Sequence, residues 1–146
     1  MSPELHNQTR KRFPPDDPRE WLNRARSNLA QAEQGIKIPD VYLEDLCFNA
    51  QQAAEKALKA VLIEHKIEFP YVHDLVKLMG TLLQGGVEVP DRIREAARIS
   101  QYAIAARYPG SLEPLTRHDY EEAIILATTV VRWAEDVIGV ESLEEN

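Results

Sequence analysis

The residues of this chain that could do chemistry are few and far apart. Two His-Asp pairs, His73-Asp74 and His118-Asp119, each set an imidazole beside a carboxylate. Such a pair ligates a hard cation when a further His and a later Asp converge on it. At a helix start the same pair has a plainer use, because Asp accepts from the free N–H groups of the first turn. Both pairs fall at expected helix starts, so the sequence assigns them to capping and assigns no metal. It has no Gly-rich phosphate loop, no nucleophile elbow and no Cys or His cluster at zinc spacing, and it implies no cofactor. Its one cysteine, Cys47, lies on an apolar helical stripe and reads as a small buried hydrophobe.

Arginine is the other resource. Residues 92–118 carry Arg92, Arg94, Arg98, Arg107 and Arg117 against Glu95 and Glu113. Arg107 follows the helically spaced positions Ile93, Ala96, Ala97, Ser100 and Ile104 on one face. A guanidinium ending an apolar stripe is partly desolvated and needs an acceptor. That acceptor is either a carbonyl of its own helix end or loop, or a phosphate or carboxylate lodged between two helices. With Arg94, Arg98 and Tyr108 near it, Arg107 could hold a nucleotide or an RNA backbone.

The whole-chain charge argues against non-specific duplex binding. The net charge is −7, and residues 119–146 supply all of it, with eight acids against Arg132. Residues 1–118 balance to neutrality, so no broad basic face follows from composition. A single cysteine rules out an internal disulfide and suits a reducing cytoplasm. No apolar run approaches the ~20 residues that span a bilayer, and the polar N-terminus has no signal-peptide core. A cytoplasmic protein without a membrane segment is expected.

The elements that must position these residues are helices. The 146 residues suffice for one core. Residues 1–15 read as a disordered polar tail, with Arg10-Lys11-Arg12 and Pro14-Pro15, and residues 140–146 as a frayed acidic tail. Between them, residues 16–139 form the folded domain. Asp16 or Asp17 with Pro18 opens a first helix that Gly35 ends, with Leu22, Ala25, Leu29, Ala32 and Ile36 as its apolar stripe. A second helix runs from about Tyr42 to His65, a third from about His73 to Gln84, and a fourth from about Asp91 to Arg107. A capping box, Thr116 to Asp119, opens the last, which Gly139 closes. No period-two alternation persists, so the fold class is all-α, with antiparallel helices and mostly short connections.

The second helix carries a mixed outer face. Phe48, Gln52, Glu55, Lys59 and Leu62 follow one another at three- and four-residue steps opposite the apolar stripe. Apolar ends around a polar middle suggest a contact surface for another helix or subunit. The alternative is a solvated face with Glu55 and Lys59 paired at i, i+4.

The run Phe48-x-Ala50-Gln51-Gln52-Ala53-Ala54-Glu55-Lys56-Ala57-Leu58-Lys59-Ala60, then His73-Asp74-Leu75, then Ala106-Arg107-Tyr108-Pro109, resembles the HEPN (higher eukaryotes and prokaryotes nucleotide-binding) domain family. Trp21-Leu22 with Ala25 and Leu29 is similar to that family's first helix. The resemblance implies an antiparallel up-and-down four-helix bundle with an additional short helix, often a homodimer. It implies association with a minimal nucleotidyltransferase in a toxin–antitoxin-like pair, and a nucleotide or RNA ligand. Many relatives are metal-independent ribonucleases with an Arg followed after four to six residues by His. Here ten residues separate Arg107 from His118, so that motif is incomplete. The expected function is therefore a dimerising module that binds a nucleotidyltransferase, a nucleotide or an RNA phosphate. The alternative is a ribonuclease with an atypical Arg107/His118 arrangement.

Overall fold

Asp17 starts the first helix by accepting from the backbone N–H of Arg19 at 2.9 Å, with Pro18 as the first helical residue. Proline suits that position because its missing N–H would have no helical partner there. The structure, a computed structural model of the chain, describes residues 10–105 and 114–140. Within them the chain forms α1 (Pro18–Gly35), α2 (Leu43–Glu64), α3 (Leu75–Gln84), α4 (Asp91–Arg94), a 3-10 helix (Glu95–Ile99), α5 (Tyr102–Ala105) and α6 (Arg117–Ile138). No strand occurs among the described residues. The long helices α1, α2 and α6 and the broken run Asp91–Ala105 make an all-α, antiparallel up-and-down four-helix bundle, and α3 is the additional short helix.

The central rod is α2, which packs on α1, α3, α5 and α6. Alanines at 50, 53, 54, 57 and 60 are all buried, and they leave neighbouring helices room to approach from several sides. At Gly35 the approach of α1 to α2 is so close that an added Cβ would collide with the side chain of Leu46. The outer face expected of α2 is turned inward. Gln51, Glu55, Lys59 and Leu62 are buried, while Phe48 and Gln52 are half-buried. The helix is covered there because the chain reverses after His65 and brings residues 67–73 and α3 back across it. Lys66 takes a left-handed φ of 56° at that reversal, and the N–H of Ile67 returns to the carbonyl of Leu62 at 2.9 Å.

The fourth rod is where periodicity misleads. A continuous α-helix to Arg107 was the expectation, with Ile104 on its buried stripe. Instead Ile93, Ala96, Ile99 and Tyr102, each three residues after the last, are buried, together with Ala103. Three residues per turn is the 3-10 period, and that segment occupies the middle of the run. The tighter winding advances the phase, so Ile104 emerges 57% exposed.

Residues 10–15 lie along α1 and are fixed by its buried polar side chains. Asn23 Nδ2 donates to the carbonyl of Lys11 at 2.9 Å, and the N–H of Phe13 donates to Glu20 Oε1 at 3.0 Å. Trp21 Nε1 donates to the carbonyl of Pro15 at 2.7 Å, and Arg19 lies 4.0 Å from the ring centroid of Phe13.

At the other end, Thr116 and Asp119 form the expected capping box. Asp119 N donates to Thr116 Oγ1 at 3.1 Å and Thr116 N to Asp119 Oδ2 at 2.8 Å. Tyr120 ties α6 to α1 by donating to the carbonyl of Ala32 at 2.8 Å, and Arg26 Nε reaches Glu135 Oε2 at 2.8 Å. Gly139 ends α6 with a left-handed φ of 85°.

Candidate functional site

Glu55 is the centre of a buried polar cluster in the bundle. Its Oε2 accepts from Lys59 Nζ at 2.9 Å. Its Oε1 accepts from Gln51 Nε2 at 3.2 Å and from Gln52 Nε2 at 3.3 Å. His73 Nδ1, entering from the loop before α3, lies 3.1 and 3.2 Å from the two carboxylate oxygens. Gln51 Nε2 also donates to the carbonyl of His73 at 3.0 Å, which fixes the loop as well as the ring. A carboxylate so buried would ordinarily be pushed towards its neutral form. Burial does push Glu55 up, but the hydrogen bonds from Lys59 and Gln51 and the charges of Lys59 and His73 outweigh it. Its carboxyl is held below the usual value. Trp21 and Phe69 complete the surroundings of Lys59, whose Nζ lies 5.7 and 6.0 Å from their ring centroids.

His73 carries this cluster to the surface, since its side chain is half exposed. Because an ionised carboxylate only accepts, Nδ1 carries a proton in this contact, and Nε2 has no partner among the described residues. His73 lines a groove of about 410 Å³ together with Asp74, Ser100, Gln101, Ala103 and Ile104. Asp74 caps α3 by accepting from Val76 N at 2.9 Å. Ser100 Oγ accepts from Leu75 N at 3.0 Å and so joins the groove's two walls. The chemistry available is hydrogen bonding and proton transfer at His73, beside the apolar surface of Ala103 and Ile104.

The other residues singled out in the sequence are dispersed. Arg107 and Tyr108 lie outside the described residues; they follow Ala105, which ends α5, by two and three positions. Arg94 donates through Nε to the carbonyl of Val89 at 2.9 Å, and Arg98 donates through Nη2 to Glu122 Oε2 on α6 at 2.6 Å. Neither lines the groove. His118 is exposed on the first turn of α6, and among the described residues no hydrogen bond fixes its ring. Cys47 is fully buried, and burial, aided by the charges of Asp119 and Glu44, pushes its thiol up to about 12. It is inert as a nucleophile at neutral pH. Among the described residues no three His, Cys, Asp or Glu side chains come together as a metal would require. No helix there is long and apolar enough to cross a membrane.

Sequence reasoning missed Gln51 and the Glu55–His73 contact. Gln51 lies one position from the face the sequence singled out, and His73 was accounted for by the cap its neighbour Asp74 makes. The signal available was the Gln-Gln-x-x-Glu-x-x-x-Lys spacing, which puts Gln51, Glu55 and Lys59 on one line of a helix at i, i+4 and i+8.

The fold is an all-helical antiparallel bundle whose buried Glu55 cluster opens on a lateral groove. The HEPN domain profile matches residues 18–137, nearly the whole bundle, and the chain belongs to the HEPN domain family. The fold is similar to the crystal structure of an archaeal HEPN homologue, with a TM-score of 0.68 and 26% sequence identity. That similarity covers 84% of this chain and 98% of the archaeal one. No curated protein matches the sequence.

Proposed function

We propose that the chain is a binding module for a phosphate-bearing ligand, a nucleotide or RNA, taken up in the groove between the start of α3 and α5. The observation that carries this reading is His73, held by a buried carboxylate at the wall of a groove flanked by apolar surface. Its Nε2, without a partner among the described residues, accepts from a base edge when the ring is neutral and donates to a phosphate oxygen when the ring is protonated at both nitrogens. Ile104 on the groove and the fully exposed ring of Tyr71, two residues before His73, are surfaces on which a base can stack. In this reading Arg107 and Tyr108, next along the chain after α5, supply the phosphate contact, with Arg98 and Arg94 as outer charges. Family membership supports homodimerisation and a nucleotidyltransferase partner in a two-component, toxin–antitoxin-like system of the cytoplasm. Phe48 and Gln52, the half-buried members of the α2 face, are the residues through which such a contact would be made.

A ribonuclease reading has one observation of its own, the carboxylate-held imidazole, which is the arrangement a general acid or base needs. Both are tested together. The purified protein is titrated with ATP and with a short single-stranded RNA, and incubated with RNA in the presence and absence of chelator. Binding should weaken at least tenfold in His73→Ala and in Arg107→Ala, with helix content unchanged and the RNA intact. Unaltered affinity in both variants would overturn the groove. Chelator-resistant cleavage, lost in Arg107→Ala and in either His73→Ala or His118→Ala, would replace the binding reading with the catalytic one.

A further inference from the structure

A second polar niche lies on α1, built from residues that play no part in the groove. The leader and the first half of the helix enclose a cavity of about 120 Å³ lined by Arg10, Arg12, Glu20, Asn23, Arg24 and Ser27. Three guanidinium groups therefore share one small space with a single carboxylate.

The arrangement is fixed rather than incidental. Asn23 holds the leader by donating from Nδ2 to the carbonyl of Lys11 at 2.9 Å, and its own carbonyl accepts from Arg10 Nη1 at 3.2 Å. Glu20 is buried, and both of its oxygens are occupied. Oε1 accepts from the N–H of Phe13 at 3.0 Å and from Asn23 Nδ2 at 3.4 Å, and Oε2 accepts from Arg24 Nε at 2.8 Å. Glu20 therefore acts as a strut. It aims Arg24 by its Nε and leaves both terminal nitrogens of that guanidinium without a partner among the described residues. Arg12 has no hydrogen-bond or ion-pair partner among them at all.

Among the described residues, the charge of this cluster is not balanced. Asp17 is engaged by Arg19 and Glu135 by Arg26. The lining itself carries three positive charges against one negative. Burial and the charge of Arg26 both lower the pKa of Arg10, as expected where cations crowd in a partly desolvated place. An ion of charge −2 would restore neutrality.

We propose that this niche binds a phosphate group, either free or carried by a polynucleotide. Phosphate fits better than carboxylate because three guanidinium groups line one small cavity. Arg10, Arg12 and Arg24 offer forked N–H pairs, and the Ser27 hydroxyl adds another donor. A carboxylate has only two oxygens and one charge with which to meet them. The small volume suits one tetrahedral group rather than a base or a peptide. The proposal does not depend on the groove, since none of its residues is shared.

The test is NMR titration of the arginine Nε–H signals of the full chain at low ionic strength. Inorganic phosphate is the first probe, a short single-stranded RNA the second, and a polyglutamate peptide the third. Phosphate should shift the Arg12 and Arg24 signals saturably, and Arg12→Gln with Arg24→Gln should weaken binding at least tenfold. The readout is the Arg12 and Arg24 signals themselves, and neither residue lines the groove, so failure here is distinct from failure of the groove. Arg92→Gln, an exposed arginine elsewhere, is the control for diffuse charge. Arg12→Gln removes no contact, so it reports on binding even if Arg24→Gln loosens the leader. A matching loss of RNA affinity assigns the niche to a nucleic-acid backbone, and a loss confined to inorganic phosphate assigns it to a small phosphate. No saturable shift, an equal loss in Arg92→Gln, or tighter binding of polyglutamate than of phosphate overturns the proposal.

Discussion

His73 and Glu55 are eighteen positions apart in the chain, yet His73 Nδ1 sits 3.1 Å from one oxygen of Glu55 and 3.2 Å from the other. The contact joins the middle of α2 to the loop before α3. It converts a residue with no distinction on its own helix into the anchor of a groove-lining imidazole. Its energetics make it testable apart from any ligand.

Replacing Glu55 with Gln leaves the Lys59 cation buried without its counter-charge. Removing one partner of a buried pair costs about 3–5 kcal/mol, because the remaining ion cannot recover its hydration. Chemical denaturation should show a loss of that order for Glu55→Gln. Adding Lys59→Met should recover much of it, since the double variant removes the stranded charge. A loss under about 1 kcal/mol in the single variant would mean that Lys59 reaches water.

The same pair sets an acid limit. Glu55 is held below its ordinary value of 4.5, so its contribution is complete above that value and is lost as pH falls through the lower, folded-state one. The stability gap between the native chain and Glu55→Gln should therefore be constant near neutrality and narrow progressively in acid below about pH 4.5. Denaturant melts at stepped pH measure it directly. A gap that widens in acid would contradict the assignment of Glu55 as the ionised member.

At the start of α6, Thr116→Ala removes the side-chain half of the capping box, Asp119 N to Thr116 Oγ1, and leaves the backbone half, Thr116 N to Asp119 Oδ2. Loss of such a cap costs about 1 kcal/mol, or roughly 3 °C in Tm for a domain of this size. Leu115 N also donates to Glu44 Oε2 at 3.0 Å, which pins the chain to the start of α2 just before the cap. Thr116→Ala with Glu44→Gln should lower Tm by more than either alone, as differential scanning calorimetry would show.

Most of the fold was legible along the chain because its signals are local. Asp17-Pro18, Asp74, Thr116-Asp119 and Gly139 mark helix ends through bonds made within a few residues of themselves. The alanine-rich α2 showed its family and its apolar stripe for the same reason. The interrupted fourth rod was not legible, since Ile93, Ala96 and Ile99 fit a three-residue period and a 3.6-residue period almost equally well over so short a run.

What the sequence by itself determined is α1, α2, α3 and α6, their caps and their membership of one family. Only tertiary structure decided which side of α2 faces water. The sequence left two readings of the face that carries Glu55 and Lys59, a contact surface or a solvated face with the two paired, because each ion alone is costly to bury. Folding buried them together, against Gln51 and a histidine from another element, so that each charge meets its partner inside. Likewise Arg10 and Arg12 read as a polar tail until Asn23 and Glu20 fixed the leader on α1 beside Arg24. Pairings between distant residues depend on where the backbone carries them, and that information is not written in the spacing along one helix.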